Sequence, residues 1–244
     1  MTAYIALVLA GLAVLTMPIY AVVTRGRPID PEVARRPTTV LLGYWIRDWV
    51  MWTIRPLERA LIASRIDPAV LNVAGALLGL AAGIAYVERQ PGVAGWCILL
   101  GGLADIMDGR IARARNMVST FGEFLDSVLD RFAEVFAFIG LAFYLAWSPW
   151  GVLATTLAAG SSLLVSYARA KAGQVGVDCH GGVMQRAERL VLLALASLLD
   201  GPLAAATDWP EGAVLLAVVA LIGIGAFGTA VFRTVVVARV LRRS

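Results

Sequence analysis

Histidine occurs once and cysteine twice in the 244 residues of this chain, and charged side chains make up only 16% of it. Cys97 lies in an apolar run, Cys179 in a polar connection, and neither belongs to a CxxC or Cys/His grouping, so neither a disulfide nor a zinc site is expected. The lone His180 falls in a polar stretch, where a solvated side chain is expected rather than a ligand. A formal net charge of +4 does not indicate nucleic acid, because the basic residues flank apolar runs instead of forming a patch.

What fills the chain is hydrocarbon: 59% of residues are hydrophobic and the mean hydropathy is +0.78. Apolar runs at 4–23, 69–87, 93–112, 121–147, 151–170, 190–206 and 213–237 are each long enough to cross a bilayer. An all-α integral membrane protein is predicted. The first run is preceded by no basic residue, which predicts a retained helix rather than a cleaved signal. With Met1 outside, Arg25, Arg27, Arg35, Arg36, the segment 47–65, the cluster Arg110 to Arg115, the segment 169–189 and the tail Arg239, Arg242 and Arg243 all fall on the cytoplasmic side, leaving only Arg89 outside.

Between the first two runs, Trp45, Trp49 and Trp52 alternate with Arg47, Arg55 and Arg59, the mixture expected of an amphipathic helix lying in the membrane interface as an anchor or packing strut. Gly75, Gly79 and Gly83 recur every fourth residue, a stripe that permits close helix contact within the chain or between copies.

Against this background Asp105, Asp108, Asp126 and Asp130 are expensive, since carboxylates at membrane depth need cationic partners. Asp105 and Asp108 share one helical face and Asp126 and Asp130 another. The stretch 113–120 reads as a turn, with Thr120 and Glu123 as a capping box, so the two helices are expected to be antiparallel neighbours with all four aspartates at one depth. Such an oxygen-rich cage suits Mg²⁺ or Mn²⁺, and two such ions serve phosphoryl transfer. The alternative is a purely structural cap in which the acids pair with Arg110, Arg113, Arg115 and Arg131.

The spacing DxxDGxxARx8GxxxDxxxD is met by Asp105, Asp108, Gly109, Ala112, Arg113, Gly122, Asp126 and Asp130, and on these residues the chain resembles the CDP-alcohol phosphotransferase family. The resemblance implies a six-helix membrane bundle with an amphipathic N-terminal segment, usually homodimeric. It assigns 46–244 to the catalytic domain, with the interfacial helix at 46–66 and six membrane helices over 67–240, leaving 1–45 as an extra N-terminal transmembrane helix and basic linker. It further implies that Asp105, Asp108 and Asp126 ligate the metals, that Asp130 touches a metal and acts as general base, and that Gly109, Ala112, Arg113, Ser119 and Gly122, with Asp67, Pro68, Ala69 and Val70, bind the CDP-linked donor.

Arg169, Lys171, Arg186, Arg189 and Arg233 form a second cationic group, which topology alone also accounts for in part. Their arrangement resembles the phosphatidylinositol-phosphate synthase branch, which implies an inositol phosphate acceptor and CDP-diacylglycerol as donor. The match is looser here: Arg169 and Lys171 exchange the branch's usual cations, Gly173 stands in place of an acid, and Ala187 in place of a proline. Glycerol 3-phosphate, inositol and serine are the alternative acceptors. An intramembrane prenyltransferase or a cation transporter would also use intramembrane acids, the former without the GxxAR spacing.

Overall fold

The computed structural model describes residues 15–30, 33–34 and 43–243, and the regular structure among the described residues is helical, with no strand. Residues 15–23 are helical; the remainder of the expected first span lies outside the described residues. Seven long helices follow: α1 Tyr44–Ala63, α2 Pro68–Val87, α3 Pro91–Ala114, α4 Thr120–Tyr144, α5 Pro149–Gln174, α6 Arg186–Thr207 and α7 Ala213–Leu241.

Local chemistry sets their starts. Pro68, Pro91 and Pro149 stand in the first turns of α2, α3 and α5, where a missing N–H is harmless and φ is already helical. Asp67 caps α2 by accepting from the Ala69 amide at 2.9 Å. The cap of α4 is Ser119, whose hydroxyl accepts from the Gly122 amide at 3.1 Å, so the expected Thr120 and Glu123 box is displaced by one residue. Ser119 has the extended backbone a cap requires, whereas Thr120 is already the first helical residue.

Helices α2, α3, α5, α6 and α7 are long and apolar enough to cross a membrane. α4 matches them in length at 25 residues but carries Asp126, Asp130, Arg131 and Glu134 along its N-terminal and middle turns. Its acids turn inward: Asp130 and Glu134 side chains are only 16% and 4% exposed. α1 is the expected amphipathic helix, with Trp45 and Leu57 exposed and Asp48 buried, and it packs chiefly on α3.

The two aspartate helices are not packed neighbours. α3 and α4 share no more than marginal contact with each other, while both pack extensively on α2, which lies between them as a strut. The glycine stripe explains this: a Cβ at Gly79 would fall on the Cα of Ala133, and one at Gly83 on the Phe136 carbonyl, so α2 and α4 approach at backbone distance. On its other side Gly75 faces the Gly101 carbonyl of α3, where a Cβ would lie 3.7 Å away. The stripe therefore packs helices within the chain.

The core runs along the bundle, and at the end away from the aspartates it gathers around Tyr86, Leu141, Tyr144, Leu145 and Leu215. There Tyr86 and Ser197 hydroxyls meet at 2.5 Å. Buried Asp200 of α6 accepts from the amides of Gly212, Val214 and Leu215 at 2.7, 3.1 and 3.2 Å, capping α7 from a neighbouring helix.

Candidate active site

At the other end, α3 brings Asp105 and Asp108 onto one face and α4 presents Asp126 across from them. One carboxylate oxygen from each of the three lies within 4.8 Å of the others, close enough to converge on one cation. The donor set is all oxygen and anionic, which suits a hard divalent ion such as Mg²⁺ or Mn²⁺ and has none of the imidazole or thiolate ligands typical of zinc and copper sites. With its amide nitrogen turned toward these acceptors, Asn72 of α2 donates to Asp108 and, at 3.0 Å, to Asp126. The strut thus also ties the two acidic helices together at the site.

Asp130 stands outside this trio. Its oxygen accepts from Arg186 at 2.6 Å, and the same guanidinium reaches Asp105 at 2.9 Å, so a cation from α6 bridges the two acidic helices. One turn further along α4, Glu134 accepts from Arg189 at 2.8 Å and lies 3.7 Å from Arg186 and 3.9 Å from Arg131. Arg131 in turn donates to the Ser166 hydroxyl of α5 at 2.5 Å. Glu134 is thus the buried anchor of the cation group, a position that the every-fourth-residue series Asp126, Asp130, Glu134 signals. Asn72 carries a signal too, as an amide inside an otherwise apolar run.

Of the arginines expected to neutralise the acids in a structural cap, Arg131 lies 3.9 Å from Asp130, while Arg110 and Arg115 are engaged elsewhere. Arg110 bonds Glu58 and Asp30, and Arg115 bonds the Ile66 carbonyl at 2.8 Å. Arg113 folds back over Gly109, where a Cβ would sit 3.1 Å from its guanidinium nitrogens, so the bare backbone at Gly109 makes room for it. Ala112 lies one residue before Arg113 on the same terminal turns of α3, and Gly122, in the first turn of α4, stands beside the Ser119 hydroxyl that caps it. Asp67 through Val70 form the capped start of α2, and Asn72, two residues past Val70, closes on the carboxylates.

Of the five later cations, Arg186 and Arg189 join the acidic cluster. Arg233 is 3% exposed and donates to the carbonyls of Gly181 and Val165 at 2.9 and 2.8 Å, pinning the loop before α6 to α5. Arg169 and Lys171 are exposed near the end of α5, Lys171 bonding Gln174 at 3.0 Å and lying over the Tyr167 ring. His180 pairs with Asp178 at 2.9 Å in an exposed loop, and Cys97 and Cys179 are free.

A groove begins at Asn72, Asp105, Asp108, Asp130, Arg186 and Arg189 and continues between apolar walls of Leu71, Ile98, Phe138 and Leu193. One end is built for anions and cations, the other for hydrocarbon.

Residues 65–231 match the CDP-alcohol phosphatidyltransferase family model. The archaetidylinositol phosphate synthase of Methanothermobacter thermautotrophicus is 35% identical over 158 residues, which are 63% of this chain and 80% of that protein. The phosphatidylinositol phosphate synthase of Cutibacterium acnes is 32% identical over 185 residues, 74% of this chain and 88% of that one. Among solved structures, the phosphatidylinositol phosphate synthase of Mycobacterium tuberculosis with CDP-DAG bound superimposes with a TM-score of 0.64 at 25% identity, covering 75% of this chain and 92% of that chain. The same enzyme in complex with manganese and citrate gives 0.65, again at 25% identity, covering 75% and 87%. Sequence pattern, site and fold agree: the chain belongs to the CDP-alcohol phosphatidyltransferase family and is a multi-pass membrane transferase.

Proposed function

We propose that the protein transfers the phosphatidyl group of CDP-diacylglycerol to a hydroxyl of inositol phosphate and releases CMP. The observation that carries this reading is the groove that joins a carboxylate cluster to an apolar channel, a shape that takes a diphosphate head and a lipid tail together. The relatives named phosphatidylinositol phosphate synthase and archaetidylinositol phosphate synthase support the acceptor.

Asp105, Asp108 and Asp126 would hold two Mg²⁺ or Mn²⁺ ions, with Asp130 beside them. Bound there, such ions supply charge neutralisation for the diphosphate and for the oxygen that leaves with CMP. Asp130 receives the proton of the attacking acceptor hydroxyl as its oxygen bonds to the β-phosphorus and the bond from that phosphorus to the CMP oxygen breaks. Asn72 fixes the rotamers of Asp108 and Asp126. Arg113, Ser119 and the small residues Gly109, Ala112 and Gly122, with the α2 start Asp67 to Val70, contact the nucleotide. Arg186 and Arg189 bind the acceptor phosphate, together with Arg169, Lys171 and Arg233, and Glu134 holds the first two in place.

In this reading 46–244 is the catalytic domain and 1–45 an addition to it, the enzyme is a homodimer in the cell membrane, and the site faces the cytoplasm, where the arginine-rich connections fall. The changed cations at Arg169 and Lys171 favour one second reading, the same transfer to glycerol 3-phosphate, inositol or serine. The purified protein incubated with CDP-diacylglycerol, Mn²⁺ and each acceptor in turn decides between them. CMP release is expected with inositol phosphate at the lowest acceptor concentration; release with another alcohol alone transfers the assignment to that alcohol.

A further inference from the structure

Upstream of the family-matched residues, the described N-terminal segment is tied to the back of the catalytic helix. Arg110, inside the aspartate motif of α3, donates through Nε to Glu58 of α1 at 2.6 Å and through a terminal nitrogen to Asp30 at 3.1 Å. A third contact runs to the Met51 sulfur at 3.4 Å. Asp30 is 7% exposed and has Arg55 3.8 Å away. Its own backbone amide donates to Asp48 at 2.8 Å, and the second oxygen of Asp48 accepts from the Tyr20 hydroxyl. The chain of contacts Tyr20, Asp48, Asp30, Arg110 therefore links the first helical segment, α1 and α3.

The placement on α3 gives this clasp its meaning. Asp108 and Arg110 are two residues apart, so their side chains leave the helix about 200° apart. One faces the carboxylate cluster and the other faces the clasp, and a single turn is gripped from both sides. α1 meets the bundle chiefly through α3, so Arg110 is a main route by which the interfacial layer bears on the site. A charge-assisted pair with both members largely buried is a rigid one, because neither partner has water to replace the other.

We infer that Asp30 is a positioning residue for the metal site: through Arg110 it holds the α3 turn that presents Asp105 and Asp108, making the N-terminal segment part of the catalytic unit. This rests on the transferase reading for its kinetic readout and on the carboxylate cluster alone for its binding readout.

The test is Mn²⁺ titration of the full-length protein in nanodiscs, followed by electron paramagnetic resonance, beside steady-state kinetics. Asp30→Asn, which keeps size and removes charge, is expected to weaken Mn²⁺ binding about tenfold, the lower range for outer partners of metal ligands, and to lower kcat with a smaller change in donor KM. Asp30→Glu is expected to restore most of both. Tyr20→Phe, milder and remote from Arg110, is expected to move Mn²⁺ affinity in the same direction by less, and it carries the test should Asp30→Asn fail to fold. Unchanged Mn²⁺ affinity in folded Asp30→Asn, or a lowered melting temperature alone, overturns the inference. Wild-type protein that binds Mn²⁺ with Asp30 sensitivity yet releases no CMP would leave the clasp standing and remove the transferase reading instead.

Discussion

Asp130 and Glu134 stand one turn apart on α4 and meet the same guanidinium, at 2.6 and 3.7 Å, yet their settings suit different work. Both line the groove, but Glu134 is enclosed among three arginines and only 4% exposed, whereas Asp130 is 16% exposed and shares Arg186 with Asp105. Asp130→Asn keeps the shape and the bond from Arg186 but cannot take a proton, so turnover is expected to fall by roughly 10²–10⁴-fold while Mn²⁺ and donor binding remain measurable. Substantial residual activity in a radiolabelled donor assay would remove Asp130 as the base. Arg189→Gln leaves Glu134 with Arg186 and Arg131 and is expected to raise the acceptor KM about tenfold, with donor KM little changed. Equal changes in both would mark a general packing defect, which the melting temperature would report. The motif aspartates were legible in the sequence because their spacing is fixed along single helices. Asn72 and Glu134 were not singled out, because their roles depend on which helices meet, and spacing along one helix does not state that.

At the scale of the element, α2 is the piece whose importance composition conceals. It reads as an ordinary apolar span with a glycine stripe, but it separates α3 from α4, sets their distance through Gly75, Gly79 and Gly83, and supplies the amide that bridges their carboxylates. Six of the seven expected runs located α2 to α7 to within a few residues, because length and apolarity are local signals, while most of the first run lies outside the described residues. The expected pairing of α3 with α4 was wrong because a short connection favours neighbours only where nothing intervenes, and here α2 is interposed between the two helix bodies although their acids converge at the site. Gly83→Val places a branched side chain on the Phe136 carbonyl. It is expected to lower stability by about 1–3 kcal/mol and to reduce activity by moving Asp126 and Asp130 relative to α3. A thermal-shift measurement alongside an activity assay checks both; a variant of wild-type stability would contradict the backbone-distance packing.

Across the whole molecule, polarity divides the bundle in two. Buried apolar packing and the Asp200 cap hold one end, while carboxylates, arginines and an amide converge at the other, where α2, α4 and α6 begin and α3 ends. Bringing so many charges into one membrane protein is tolerated because Asp105, Asp130 and Glu134 meet Arg186 and Arg189, although buried Glu188 of α6 has neither carboxylate oxygen hydrogen-bonded, and a lipid-linked diphosphate continues the pattern from head to tail. The interfacial helix was legible as a strut or anchor, but its link through Asp30 and Arg110 to the catalytic turn lay beyond the sequence, since 80 residues separate that pair. The account's central claim is that this end of the bundle joins a phosphatidyl group to inositol phosphate. Mass spectrometry of the lipid formed from CDP-diacylglycerol and inositol phosphate by the purified protein tests it most directly. A product with the mass of phosphatidylinositol phosphate, formed in equal amount with CMP and abolished by removing divalent metal, is the result predicted; a lipid product without inositol, or no CMP, would contradict it.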